Sequence, residues 1–326
     1  MHTISLTFVS TAFNESANIV ELLKRCRESY DQIAREFSET LEIRYRFVIA
    51  DNGSRDNSVQ LLEGICDSEK EVTALINHAN YGPEASAANA LQEARDSDLI
   101  VLLCSDLQDP PELSVSMARM LLKRPDLDAV LAIKKRSSGN AMLRIARKTY
   151  YKALGYSTRL QQVPNGYHGY GCYRRETIEE ALRYWNLTDL NLRQCLACAS
   201  QNAFEVEYLQ ADRRHGRSSY GVFGYWSEAV RSLASGDATA SRLSLFTGTS
   251  SLLIAIVAGI FLLLNIISGN SGYGRGIPTV LGISVLSFAV QMLMFGLLSR
   301  QIEALRMGGM RKKVRFSRLN KSTNID

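Results

Sequence analysis

Two stretches late in the chain, Leu245 to Ile267 and Pro278 to Leu298, contain no charged residue. As helices of about 21 to 23 residues they would extend roughly 32 to 35 Å, enough to cross a hydrocarbon core of about 30 Å. Buried core helices are the alternative, although back-to-back uncharged segments of this length are rare in a soluble domain. The connector Ser268 to Ile277 is short and glycine-rich, so the pair is expected to form a transmembrane hairpin. Ser251, Ala255 and Gly259 recur every fourth residue, a stripe suited to close helix contact within the hairpin or in a homo-oligomer. Ser284, Ser287 and Gln291 share one face of the second stretch and are expected to meet protein rather than lipid.

Orientation follows from charge. The connector carries only Arg275, whereas the tail 300–326 carries Arg300, Arg306, Arg311, Lys312, Lys313, Arg315, Arg318 and Lys321. Positive loops stay inside, which predicts a multi-pass protein of the inner (cytoplasmic) membrane with both termini in the cytoplasm. The N-terminus lacks the basic start and long apolar core of a signal peptide. Within 221–244, Val222, Trp226, Ala229, Val230 and Leu233 line one side of a helix. Such a helix can lie in the membrane interface or face a core.

The first two thirds of the 326 residues read differently. Apolar runs at Ile4–Ser10, Tyr45–Ala50, Val72–Ile76, Leu99–Cys104 and Ala129–Ile133 alternate with helical segments at Ser16–Phe37, Asn57–Cys66, Pro83–Ala94 and Glu112–Lys123. Pro110 and Pro111 are expected to open the last of these helices. Strand–helix alternation at this spacing predicts an α/β fold, a doubly wound and mostly parallel sheet. Phe204–Gln210 reads as a late strand, and Asn165–Gly171 as a turn rich in glycine and tyrosine. The net charge of +5 is modest, and no basic stripe interleaves with aromatics, so nucleic acid is not an expected partner. The six cysteines lack regular spacing. Cys195 and Cys198 make one CxxC without a second pair, which favours buried, reduced thiols over a metal or redox motif.

In open α/β sheets, ligands bind beyond the carboxyl ends of the strands. Those ends carry Thr11-Ala12-Phe13-Asn14-Glu15, Asp51-Asn52-Gly53-Ser54 with Asp56 following, Asn80-Tyr81-Gly82, and Ser105-Asp106-Leu107-Gln108-Asp109-Pro110-Pro111-Glu112. Taken singly, each is a weak signal, and Asp-Asn-Gly-Ser is more often a turn than a site. Together they collect carboxylates at one edge, where mutual repulsion is costly unless a cation or donor-rich ligand is present. No dinucleotide fingerprint or Walker lysine occurs, so acidic groups would hold a diphosphate only through a divalent metal. Asp51 could instead accept the imino proton of a nucleobase.

These four strings, in this order, resemble the family 2 inverting glycosyltransferases, and most closely their polyprenyl-phosphate branch. The likeness runs from about Ile4 to Tyr220, and DLQDPPE is its most specific part. Arg213-Arg214-His215-Gly216-Arg217-Ser218-Ser219-Tyr220 resembles that branch's RxxGxSxY element. The resemblance implies a GT-A catalytic domain over 1–220, a UDP- or GDP-linked sugar donor, and Mg2+ or Mn2+. It implies Thr11, Phe13, Glu15, Asp51 and Gly82 around the nucleotide, Asp106 as metal ligand, and Gln108 and Asp109 beside metal or sugar. Arg213 and Ser218 would contact phosphate of donor or acceptor; Lys134 and Arg136 are further phosphate candidates or plain surface cations. The acceptor implied is a polyprenyl phosphate at the membrane lipid surface, in the service of cell-surface polysaccharide.

The sequence departs from that pattern at Cys104, where the family's first DxD aspartate would stand, and at Asn52, where a second aspartate is common. A lipid phosphate needs no strong base, but a hydroxyl of a lipid-linked glycan or glycolipid does. Asp189 is the candidate base, with a helix N-cap as its other reading. A membrane-anchored nucleotide-sugar-binding protein without catalysis is the reading from another class.

Overall fold

The computed structural model describes residues 2–135, 163–188, 190–210 and 314–319, with single helical positions between 280 and 302. The chain divides into two compact units: Met1–Ala141 with Leu160–Ser219 and Arg311–Asp326, and Met142–Arg159 with Tyr220–Met310.

In the first unit the chain alternates as its periodicity predicts. Strand β1 (His2–Ala12) leads to α1 (Ser16–Glu36), β2 (Leu41–Asp51) to α2 (Ser58–Ser68), and β3 (Val72–Asn77) to α3 (Pro83–Glu93). Strand β4 (Leu99–Cys104) leads to α4 (Leu113–Lys123), followed by β5 (Ala129–Lys135). After residue 163 come β6 (Tyr167–Arg174), α5 (Arg175–Leu187), α6 (Leu192–Ala199) and β7 (Ala203–Leu209), and the tail adds β8 (Phe316–Leu319). One sheet holds all eight strands in the order β7-β5-β6-β4-β1-β2-β3-β8.

Period-two alternation builds two cores. Leu6, Phe8, Phe47, Ile49 and Val101 face Ile19, Leu22, Cys26 and Ile33 of α1, Leu62 of α2 and Val115 and Leu121 of α4. Their sequence neighbours Val9, Val48, Ala50, Ile100 and Leu102 face Ala87 and Leu91 of α3, Ile178 of α5 and Cys195 and Leu196 of α6. Burying one such side chain stabilises by about 1.5–3 kcal/mol. Because both faces are covered, β4 is apolar at every position but its last, Cys104, which is exposed.

The sheet is mostly parallel, as expected, but two of its eight strands run against the rest. β1, β2, β3 and β4 are mutually parallel where they pair, and β5 with β7 is parallel. β6, however, runs antiparallel between β4 and β5, and β8 antiparallel beside β3. The segment expected as a turn at Asn165–Gly171 is therefore largely strand. Its alternation explains why: Tyr167 and Tyr173 enter one core while Tyr170 and Cys172 enter the other. Gly166 turns the chain into β6 at φ 94°, and a Cβ there would meet the Lys134 carbonyl oxygen at 2.7 Å. The two prolines also do not open α4. They form a turn whose carbonyls accept from Leu113 N and Ser114 N at 3.1 and 3.0 Å, and the helix begins at Leu113. Arg25 of α1 then grips Glu112 through two hydrogen bonds of 2.7 Å.

In the second unit, Val280, Ile283, Ser284, Ser287, Val290, Gln291, Met294, Leu298 and Ile302 are helical. The expected span 245–267 lies outside the described residues, as does most of 278–298. Among the described residues no helix is long and apolar enough to cross a membrane.

Candidate active site

The parallel strands β1, β2, β3 and β4 deliver their carboxyl ends to one rim, and side chains stitch the loops there together. Asn14, at φ 56°, accepts from Arg55 N at 2.8 Å while its own N–H donates to Ser54 Oγ at 2.9 Å. Asn52 donates to Asn80 at 3.0 Å and accepts from Tyr81 N at 2.9 Å. Gly82, which caps α3, donates its N–H to Asn80 Oδ1 at 3.0 Å. Ser105 donates to the Thr11 carbonyl at 2.7 Å, joining the ends of β1 and β4. Gly53, at φ 75°, lets the β2 turn close on the β3 loop, where a Cβ would stand 2.9 Å from the Ala79 carbonyl carbon.

Three carboxylates on this shelf are held differently. Asp51 is fully buried, and its Oδ1 accepts from Gly53 N and Ser54 N at 3.0 and 2.8 Å. Its Oδ2 is buried and has no hydrogen-bond partner among the described residues. An orphaned buried acceptor costs about 1–3 kcal/mol, so a donor-bearing ligand edge there would be rewarded. Glu15 is buried at the start of α1 and accepts from Asn18 at 2.5 Å. Asp56 is half-buried and accepts from Ser16 N and Ser58 N at 3.1 and 3.0 Å. Burial opposes its ionisation, but those hydrogen bonds outweigh it and hold the carboxyl below its usual range. Thr11 and Phe13 are half-buried at the end of β1.

The loop after β4 carries a second group. Leu107 takes φ 58°, uncommon for a non-glycine residue, and is buried, while Asp106 and Gln108 on either side are half-buried. Gln108 N donates to Asp106 Oδ1 at 3.2 Å. Asp109 lies deeper, 1% exposed, and three side chains from three strands converge on it. His168 Nε2 of β6 stands 3.1 Å from both carboxylate oxygens, Tyr208 of β7 donates to Oδ1 at 2.5 Å, and the Cys104 thiol of β4 also donates. Burial alone would lift the Asp109 carboxyl, yet the hydrogen bonds and imidazolium charge hold it below the ordinary value. Burial pulls His168 down, and Asp109 more than compensates, so the imidazole is held above its usual range. Tyr208, pushed up by burial and the adjoining carboxylate, remains a proton donor across the neutral range.

Of the residues singled out from sequence, Asp106, Gln108 and Asp109 share the β4 loop, and Thr11, Phe13, Glu15, Asp51 and Gly82 belong to the neighbouring strand ends. Lys134 is half-buried on β5, close enough to His168 for its charge to oppose protonation of the ring. Arg136, Asp189, Arg213 and Ser218 lie outside the described residues. The N-cap of α6 is Asn191, through a capping box with Gln194, so the capping reading offered for Asp189 belongs two residues later. No motif in the sequence singles out His168 or Tyr208. A strand reading of Tyr167–Tyr173, from its period-two aromatic and small residues, would have put His168 beside the end of β4.

A hard divalent ion at Asp106 would have one carboxylate from this loop. Such ions take one or two protein carboxylates and complete their shell with substrate phosphates and water, and Asp106 is half-buried at the rim, where its Oδ1 accepts from the Gln108 backbone N–H.

Fold and rim together define the class: an open-sheet α/β protein, in which ligands generally bind beyond the carboxyl ends of the strands. The profile of glycosyl transferase family 2 matches residues 7–182, which cover β1 to most of α5, and the chain belongs to that family. It is a glycosyltransferase. Similar proteins include the undecaprenyl-phosphate 4-deoxy-4-formamido-L-arabinose transferase of Pseudomonas aeruginosa (strain LESB58). That protein is 26% identical over 317 residues, with 91% of this chain and 84% of the relative covered. The enzyme of the same name from Shewanella sediminis (strain HAW-EB3) is 26% identical, with 92% and 88% covered. Among solved structures, a mannosyltransferase from Pyrobaculum calidifontis in complex with GDP-Man and Mn2+ is 14% identical. It has a TM-score of 0.45, with 96% of this chain and 89% of that one covered.

Proposed function

We propose that this chain moves a sugar from a nucleotide diphosphate to a polyprenyl phosphate at the cytoplasmic membrane face, with inversion at the anomeric carbon. The observation that carries this reading is the match, along 91% of the chain, to a transferase named for undecaprenyl phosphate. The site agrees with it chemically. Asp51, with an unpartnered buried oxygen on a rigid turn, is suited to accept a nucleobase imino proton, with Thr11, Phe13, Glu15 and Gly82 around it. Asp106 would hold Mg2+ or Mn2+, which supplies positive charge to a departing diphosphate. Gln108 stands beside it. Lys134, Arg136, Arg213 and Ser218 are the candidates for phosphate.

Asp109 has a different part. Its oxygens are occupied by His168, Tyr208 and Cys104, so it fixes the β4 loop rather than removing a proton. That arrangement favours an acceptor whose oxygen is already ionised, as a phosphate monoester is near neutral pH. Asp189 would be the base only if the acceptor were a hydroxyl.

The two uncharged stretches 245–267 and 278–298 would anchor the enzyme as a hairpin where its lipid acceptor resides, with 221–244 leading into it and 300–326 returning to the cytoplasm. The small-residue stripe would serve the hairpin or a homo-oligomer. The test supplies membranes containing the chain with labelled UDP- and GDP-sugars. Label is expected in an organic-extractable product that mild acid releases. Acid-stable label would indicate a hydroxyl acceptor, and donor binding without transfer would indicate a binding protein.

A further inference from the structure

Cys104, Asp109 and His168 bring a sulfur, a carboxylate oxygen and a ring nitrogen within 4.8 Å of one another, from the end of β4, the loop after it and the start of β6. Burial grades across the three: Asp109 is buried, His168 half-buried and Cys104 exposed. One side of the cluster is thus anchored in the interior and the other open to solvent. We propose that these three residues bind a borderline-soft divalent cation of the zinc type. This site is distinct in donor chemistry from the hard-ion site at Asp106.

Two protons, on the His168 ring and the Cys104 thiol, are directed at one buried carboxylate. Exchanging both for a single cation leaves thiolate, imidazole and carboxylate all partnered, and the two protons pass to solvent. Tyr208 keeps its bond to Asp109 Oδ1, where it orients the ligand as outer-shell donors do. Thiolate with imidazole selects zinc-like ions over magnesium, and three protein donors leave a fourth position for water on the exposed side.

The full-length chain in detergent, stripped with a chelator, is titrated with Co2+ in the absence of sugar donor and acceptor. The result is therefore independent of whether the transfer reaction proposed above is correct. Tetrahedral visible absorption and a thiolate-to-cobalt charge-transfer band are expected, displaced by stoichiometric Zn2+ and retained in excess Mg2+. Cys104→Ser is expected to lose the charge-transfer band and weaken Zn2+ binding on the order of 100-fold, and Tyr208→Phe about 10-fold with the band intact. His168→Gln, which keeps a donor toward Asp109 and so preserves packing, is expected to weaken binding like Cys104→Ser. A hydrogen-bonded cluster only, with no charge-transfer band in the unmodified chain, overturns the proposal. So does a band that survives Cys104→Ser, or displacement by Mg2+.

Discussion

The two sides of the sheet hold their functional groups by different means. Around β1, β2 and β3, the rim is fastened by loop side chains to backbone N–H groups: Asn14 to Arg55, Asn52 to Tyr81, and Asp51 to its own turn at Gly53 and Ser54. Around β4, β6 and β7, one buried carboxylate is fastened by side chains on separate strands, His168 lying 59 and Tyr208 99 residues from Asp109. For His168 the cause is strand direction. Parallel neighbours bring like ends together, so their loops meet and each can be satisfied locally. The antiparallel β6 pairs Gly171 with Leu102, so its first residues arrive beside the last residues of β4. A side chain can then reach under the loop from the far side. The first arrangement is a shelf fastened within its own loops; the second is a lock that ties the loop carrying Asp106 to β6 and β7.

The largest effect expected is on chemistry rather than stability. Asp106→Asn is predicted to lower transfer on the order of 10³-fold or more with the melting temperature retained, as checked by labelled-sugar turnover beside thermal unfolding. Near-normal turnover would remove Asp106 from the ion site and leave the lock with nothing to position. Next, His168→Ala leaves the Asp109 carboxylate buried without its charged partner, which is expected to destabilise by about 3 kcal/mol. Asn52→Ala on the other side removes two loop bonds and is expected to cost about 1–2 kcal/mol in denaturant unfolding. Equal losses at the two positions would break the distinction between lock and shelf.

The smallest effect is on pH dependence. The folded-state pKa of Asp56 is lowered, so its contribution to stability is present above the unfolded value of about 3.8 and lost as pH falls through the folded value. Unfolding measured from pH 6 down to pH 3 is expected to show a shallower acid-side loss in Asp56→Asn than in the unmodified chain. An unchanged slope would place the acid sensitivity of the rim elsewhere.

Much of this protein was written locally. Continuous apolar runs such as Leu99 to Leu103 and the helical spacing of Ile19, Leu22, Cys26 and Ile33 specify buried strands and packed helices wherever they occur, because periodicity alone decides which faces leave water. The strand-end strings, including Asp106 and Asp51, were legible for the same reason: in an open sheet the ends of parallel strands share one edge. Other features depended on contacts made across the fold. Asn165 to Gly171 reads as a turn because its glycines signal one, and only pairing on both sides, with β4 and β5, makes Tyr167 to Arg174 a strand. Phe316 to Leu319 is four residues in a basic tail, and becomes β8 only because the edge of β3 offers unpaired backbone groups to it. The resemblance places Asp109 beside metal or sugar; only the fold shows that it is buried and meets three donors, none adjacent to it in sequence. Local periodicity determines elements, whereas the partners of a buried polar group are chosen by the packing that desolvates it.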